Sequence, residues 1–175
     1  MLSVTTQLSI LESKKGIKNH LRYNYRWVLY AKPIGLVGFI FFVIMAYIES
    51  SSFSDMLNTI DYLPLLISIN LIFLPSIFIW QAKYNTKKSP NFNKSINWVF
   101  DHEGLSGNGE GFNFSSDWTN IYKVIFTLDG ILIYPQKNLF YWISKSFLKN
   151  EDDINNLKSI ICNQVDKSKI SERDN

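Results

Sequence analysis

Pro33 to Ile48 and Tyr62 to Ala82 contain no charged residue, and the connector between them carries Glu49, Asp55 and Asp61 but no Lys or Arg. A bilayer's hydrocarbon core is about 30 Å thick and takes about 20 mostly apolar residues at about 1.5 Å each. The second stretch meets that length by itself. The first does so when Trp27 to Tyr30 join it and Lys32 extends its ammonium to the interface. The pattern predicts a membrane hairpin of two transmembrane helices. A cleaved signal peptide would need small residues at A-x-A spacing, whereas Ile44 is followed by Met45, Ala46, Tyr47 and Ile48. Core helices of a soluble domain rarely run to about 20 residues without charge.

Cytoplasmic flanks of membrane helices collect Lys and Arg, and translocated loops avoid them. Lys14, Lys15, Lys18, Arg22, Arg26 and Lys32 precede the first span, and Lys83, Lys87, Lys88 and Lys94 follow the second. Both termini are therefore expected in the cytoplasm, with the connector Glu49 to Asp61 on the far side. The net charge of +3 is too small to argue for nucleic acid, since the cations cluster at the membrane flanks. Cys162 is the only cysteine, which excludes an intramolecular disulfide and suits a reducing compartment.

Outside the hairpin the residues divide into two short regions. In residues 1–30, Val4, Thr6, Leu8 and Ile10 alternate with Thr5, Gln7 and Ser9 at strand period. From Ser13, Ile17, Leu21, Tyr25 and Val28 recur at helical spacing among Lys18, Arg22 and Arg26, predicting a basic juxtamembrane helix with an interfacial aromatic belt of Tyr23, Tyr25, Trp27 and Tyr30. Within the hairpin (31–82), Gly35 and Gly38 offer a small face for a neighbouring helix, while Ser68 and Asn70 are polar groups suited to helix–helix hydrogen bonding.

After a polar linker from Asn85 to Lys94, residues 95–166 read as a small α+β domain, an antiparallel sheet followed by a helix. Ile96, Trp98 and Phe100 alternate with Asn97, Val99 and Asp101. Asn108-Gly109 and Asp129-Gly130 are dipeptides preferred at tight hairpin turns that require positive φ. They set off strands around Leu105 to Gly107, Phe112 to Ser115, Tyr122 to Thr127 and Ile131 to Tyr134, with a turn at Pro135 to Asn138 before Leu139 to Ile143. Asn150 can cap a helix whose first turn holds Glu151, Asp152 and Asp153 and whose apolar face is Ile154, Leu157, Ile161 and Val165. Residues 167–175 are expected to be a mobile tail.

The segments N-W-V-F-D-H-E-G-L, D-W-T-N-I-Y-K-V, I-L-I-Y and I-S-K-S-F-L, followed by the acidic-started helix, resemble the YcxB-like membrane protein family. Asp117, Trp118 and Ile121 match its W-x-x-I element. Lys145 and Phe147 match a P-K-x-x-F-like element in which Ser144 replaces the proline. The resemblance implies a C-terminal domain with a pleckstrin-homology-like (PH-like) sheet and C-terminal helix, in a multi-pass protein of the bacterial inner membrane. It implies no catalytic residue and no cofactor.

The residues agree in offering little chemistry. Nucleophilic catalysis needs a histidine close to its nucleophile, and the two histidines lie on the juxtamembrane helix (His20) and in a turn (His102). Asp101, His102 and Glu103 are adjacent, which scatters their side chains rather than converging them on a metal. Gly104, Gly107, Gly109 and Gly111 lack the Gly-Lys-Ser/Thr of a phosphate loop. Two function classes remain, both non-enzymatic. One is a membrane-anchored binding or scaffold module with an unidentified protein partner or a lipid headgroup, for which Arg22, Arg26, Lys32, Lys83, Lys87 and Lys88 are the candidate contacts in the lipid bilayer. The other is an immunity protein neutralising a toxin at the inner membrane. A pore would need more polar lining than Ser68 and Asn70 supply.

Overall fold

The computed structural model describes residues 1–7, 9–50, 52, 54–55, 62–89, 91–137 and 139–172. The chain divides into two compact units. One joins Met1–Asn19 to Ala82–Asn175, and the other comprises His20–Gln81.

The first unit is built on eight strands. β1 (Leu2–Gln7), β2 (Ser95–Phe100), β3 (Gly104–Gly109) and β4 (Phe112–Asp117) form one antiparallel sheet in that order. β5 (Lys123–Phe126), β6 (Gly130–Gln136) and β7 (Leu139–Ser144) form a second, in which β8 (Ile170–Glu172) lies parallel to β5, giving the order β7-β6-β5-β8. The strand-period pattern at the N-terminus is realised from Leu2 to Gln7, by pairing across the whole hairpin with Leu2 opposite Phe100 and Gln7 opposite Ser95; Leu8 is outside the described residues, and Ile10, expected to continue the strand, begins a helix instead. Alternation puts Val4, Ile96, Trp98 and Phe100 inward from the first sheet and Val124, Ile131, Ile133 and Ile143 inward from the second. A helix, Glu151–Gln164, adds Leu157, Ile160 and Ile161 to the same core. Its start is as expected, with the Asn150 side chain accepting from the Asp153 amide at 2.8 Å.

Three local expectations are corrected. The turn between β3 and β4 falls at Glu110-Gly111, where Gly111 has φ +78°, and not at Asn108-Gly109, which remain in β3 opposite Asn97 and Ile96. The hairpin after β5 turns through Leu128 and Asp129, held by the Thr127 hydroxyl and the Gly130 amide. Gly130 is needed for close approach rather than for a positive φ: an added Cβ would lie 2.7 Å from the Trp142 ring and closer still to the Ile143 carbonyl. Pro135 lies inside β6, where the register with β7 shifts between Ile133 and Gln136; Asn138, assigned to that turn, is outside the described residues.

The tail is the fourth. Residues 167–172 form a short 3-10 turn and β8, because the outer edge of β5 has no other strand to satisfy its backbone groups. Asp166 caps that turn through the Ser168 amide at 2.8 Å, Ile170 packs on the core, and Lys158 pairs with Glu172.

Among the described residues, the helices α1 (Ile10–Asn24), α2 (Arg26–Glu49) and α3 (Tyr62–Lys88) precede β2, and the C-terminal helix is labelled α4. α1 begins three residues before the expected start, since Ser9 accepts from the Glu12 amide at 3.2 Å and caps it. Tyr25 interrupts the long helical pattern with φ −134°. α3 runs on to Lys88, shortening the linker expected from Asn85. In the second unit, α2 and α3 are long and apolar enough to cross a membrane. Gly35 admits close packing there, for an added Cβ would come within 2.6 Å of the Ser68 carbonyl oxygen. Ser51, Phe53 and 56–61 of the connector are outside the described residues.

Candidate binding site

The first unit contains a cavity of about 560 Å³, within the range that holds small ligands. α1 supplies Glu12, Ser13, Gly16 and Ile17, the end of α3 supplies Ala82, Asn85 and Thr86, and Ser89 follows just after it. The first sheet adds Thr6, Ile96, Trp98 and Phe112, and β7 adds Phe140, Tyr141 and Trp142. Aromatic packing shapes the wall. The Tyr141 ring sits 4.9 Å from Trp98 and 4.7 Å from Phe114, with Phe112 edge-on to it at 6.0 Å. Gly16 is what lets α1 approach β7, since an added Cβ would meet the Trp142 Cβ and Cγ at 2.9 Å.

The polar groups are few and nearly all engaged. Trp98 Nε1 donates to the Thr6 hydroxyl at 3.0 Å, and the Ser13 and Thr86 hydroxyls share a hydrogen bond of 2.5 Å. Trp142 Nε1 donates to Glu12 Oε2 at 3.2 Å, while Lys15 Nζ donates to Glu12 Oε1 at 2.9 Å. Burial raises the affinity of the Glu12 carboxyl for its proton. The bonds from Lys15, Trp142 and Ser144, with the Lys15 charge, outweigh burial and hold it below the ordinary glutamate value. Burial likewise pushes the Tyr141 phenol up. Asn91 Oδ1 is shielded from solvent and is the buried side-chain polar atom left without a hydrogen bond among the described residues.

The family-motif residues are structural. Trp118 opens a 3-10 turn between the sheets, donates from Nε1 to the Asp101 carbonyl at 2.9 Å and stacks on Phe100, while Ile121 is fully buried. Asp117 is exposed ahead of that turn. Lys145 and Phe147 belong to a second 3-10 turn, with Lys145 exposed and Phe147 against the core. Ser144 does a proline's work there by another route: its hydroxyl accepts from the Ser146 amide at 3.3 Å.

The candidate headgroup cations divide between the units. Lys83, Lys87 and Lys88 share the last turns of α3, with Lys88 Nζ 4.3 Å from the centre of the Tyr84 ring, and Arg22, Arg26 and Lys32 belong to the second unit. Asp101, His102 and Glu103 form the β2–β3 turn, in which the Asp101 carboxylate accepts from the Gly104 and Glu103 amides at 2.9 Å. Those bonds lower the Asp101 pKa. No group of three potential metal ligands converges among the described residues. Glu12 went unnoticed as a site residue, although Ser9-Ile10-Leu11-Glu12 is a capping-box sequence that would have started α1 early and drawn attention to it.

The class defined by these features is a two-helix apolar hairpin inserted in an α+β domain with an aromatic cavity. Residues 100–161 match the model of the family described as YcxB-like protein, the family that the Trp118–Ile121 and Lys145–Phe147 elements resemble. No curated protein and no solved structure matches the chain.

Because the Glu12 pKa is depressed on folding, its carboxylate stabilises the fold above the unfolded value near 4.5, and this is lost as pH falls through the folded value. As pH falls below the unfolded value the wild-type chain is therefore expected to lose stability more steeply than Glu12→Gln in denaturant titrations followed by tryptophan fluorescence. Parallel curves would show that Glu12 is not coupled to Lys15 and Trp142.

Proposed function

We propose that the protein is a non-enzymatic, multi-pass protein of a bacterial inner membrane whose cytoplasmic PH-like module binds its target at the aromatic cavity. The observation that carries this reading is the pairing of β1 with β2. Strands of one sheet share one compartment, so a chain that enters the bilayer between Gln7 and Ser95 must cross it an even number of times. α2 and α3 are those crossings. Only 17% and 6% of their apolar windows are buried, which supports lipid as the surroundings of their side chains. The excess of Lys and Arg on the flanks supports a cytoplasmic domain.

The PH-like reading is supported by two sheets, β1–β4 and β5–β7, that share one core to which a C-terminal helix adds its apolar face. Binding rather than catalysis is supported by the lining. Glu12 is occupied by Lys15 and Trp142, the hydroxyls of Ser13 and Thr86 share a hydrogen bond, and the rest of the wall is the flat apolar surface of Trp98, Phe112 and Tyr141. A target with a planar apolar group fits that chemistry. Arg22, Arg26, Lys32, Lys83, Lys87 and Lys88 contact anionic headgroups, each adding about 1 kcal/mol near a charged surface.

Cys162 is exposed on α4 and reports the side of the domain directly. A membrane-impermeant maleimide is expected to leave Cys162 unmodified in intact cells and to label it after permeabilisation, whereas Ser52→Cys in a Cys162→Ser background reacts from outside. Labelling of Cys162 in intact cells would contradict the orientation. For the cavity, titration of the full chain in detergent with indole is expected to give saturable shifts of the Asn91 and Trp142 side-chain resonances, lost in Ile17→Phe, which fills the space. Equal, non-saturating shifts in both proteins would remove the cavity as the site.

A further inference from the structure

Asn70 lies near the middle of the uncharged stretch of α3 (62–82), one helical turn beyond Leu66, and it is exposed. At about 100° per residue it stands about 200° around the helix from Ser68, the residue that meets Gly35 and Gly38 of α2. The intramolecular contact therefore leaves the Asn70 face uncovered within the second unit. One Asn70 amide hydrogen is used within the helix, donated to the Leu66 carbonyl at 2.8 Å. The second N–H and Oδ1 have no partner among the described residues. In water this would be unremarked, but hydrocarbon supplies no donor or acceptor and an unpaired amide there is costly.

The neighbours of Asn70 on that face have a definite spacing. Leu66, Asn70, Phe73 and Ile77 follow at intervals of four, three and four residues, and Leu66, Phe73 and Ile77 are between 51% and 56% exposed. That is the spacing of a left-handed helix–helix seam, in which one polar residue among apolar positions sets register and partner number. Leu63 and Trp80 extend the same interval in both directions.

We propose that α3 pairs with α3 of a second copy of this chain along Leu66, Asn70, Phe73 and Ile77, with the two Asn70 amides hydrogen-bonded to each other across the interface. The proposal rests on the reading of α2 and α3 as membrane spans. A second copy is favoured over a different partner because a carboxamide is self-complementary. It holds a free donor and a free acceptor, so the same residue related by a two-fold axis satisfies both at once, in an isologous contact that closes as a dimer. The bulk of Leu66, Phe73 and Ile77 suits side-chain interdigitation rather than the backbone contact that small residues permit. No charged residue lies on the seam to oppose the approach of an identical helix.

The test uses the full chain reconstituted in phosphatidylcholine vesicles, with separate preparations labelled at Cys162 by donor and acceptor fluorophores. Wild-type protein is expected to show energy transfer that rises and saturates with protein-to-lipid ratio. Asn70→Leu is expected to lower the association constant roughly three- to twentyfold, and Asn70→Gln, which keeps the carboxamide, to retain most of it. Energy transfer no greater than random proximity in the wild type, or equal association by Asn70→Leu, overturns the dimer. Retention of the chain in the vesicles after an alkaline carbonate wash separates the two possible failures. A retained chain that does not associate overturns the dimer alone, whereas a released chain overturns the membrane spans and the dimer with them.

Discussion

The antiparallel pairing of β1 with β2, from Leu2 opposite Phe100 to Gln7 opposite Ser95, is the contact on which the rest of the molecule depends. Its loop spans α1, α2 and α3, so closing it carries a large entropic cost that only a cooperative core can offset. The core does so from both sheets at once: Val4 of β1 reaches the same cluster as Trp98 and Phe100 of β2, Ile133 of β6 and Leu157 of α4. A strand of six residues makes no stable unit alone, and β2–β4 without it would expose the backbone edge of β2. The N-terminal segment is thus part of the domain rather than a leader ahead of the hairpin.

The same closure builds the cavity. Once β1 is fixed, Ser9 caps α1 and Glu12 is carried into the space beside β7, where Trp142 and Lys15 hold its charge. The far wall comes from the other end of the insertion, where Thr86 of α3 bonds to Ser13 of α1 at 2.5 Å. Residues 1–19 and 82–89, distant in sequence, therefore meet the aromatic group of Trp98, Phe112 and Tyr141 because the chain leaves and re-enters the sheet at neighbouring strands. Under the proposed membrane reading, a ligand or partner at this cavity touches both helical flanks of the hairpin.

Much of this was legible in the residues. The two apolar helices follow from missing charge and from length, and the strands from alternation at Val4, Thr6, Ile96, Trp98 and Phe100. The start of α4 follows from Asn150 and the acids after it. The turns were less legible because a dipeptide reports a preference for positive φ, whereas Gly109 and Gly130 serve close approach between strands, a tertiary demand that local sequence does not carry. β8 escaped for a related reason: Ile170 is a single apolar residue in a polar tail, and its place is decided by the open edge of β5. The cavity was not legible at all. Ile96 and Trp98 of its lining are core residues as well, and Glu12 reads as one more helical charge until Trp142 is set beside it.

The pairing of β1 with β2 can be read directly in the native chain. In a Cys162→Ser background, Thr5→Cys with Asn97→Cys places two thiols at directly opposed positions of the exposed sheet face. Mild oxidation of native membranes is expected to give an intramolecular disulfide for this pair and none for Thr5→Cys with Ser115→Cys, which lies on β4 across the sheet. Equal cross-linking of both pairs, or no cross-link for Thr5→Cys with Asn97→Cys, would contradict the account.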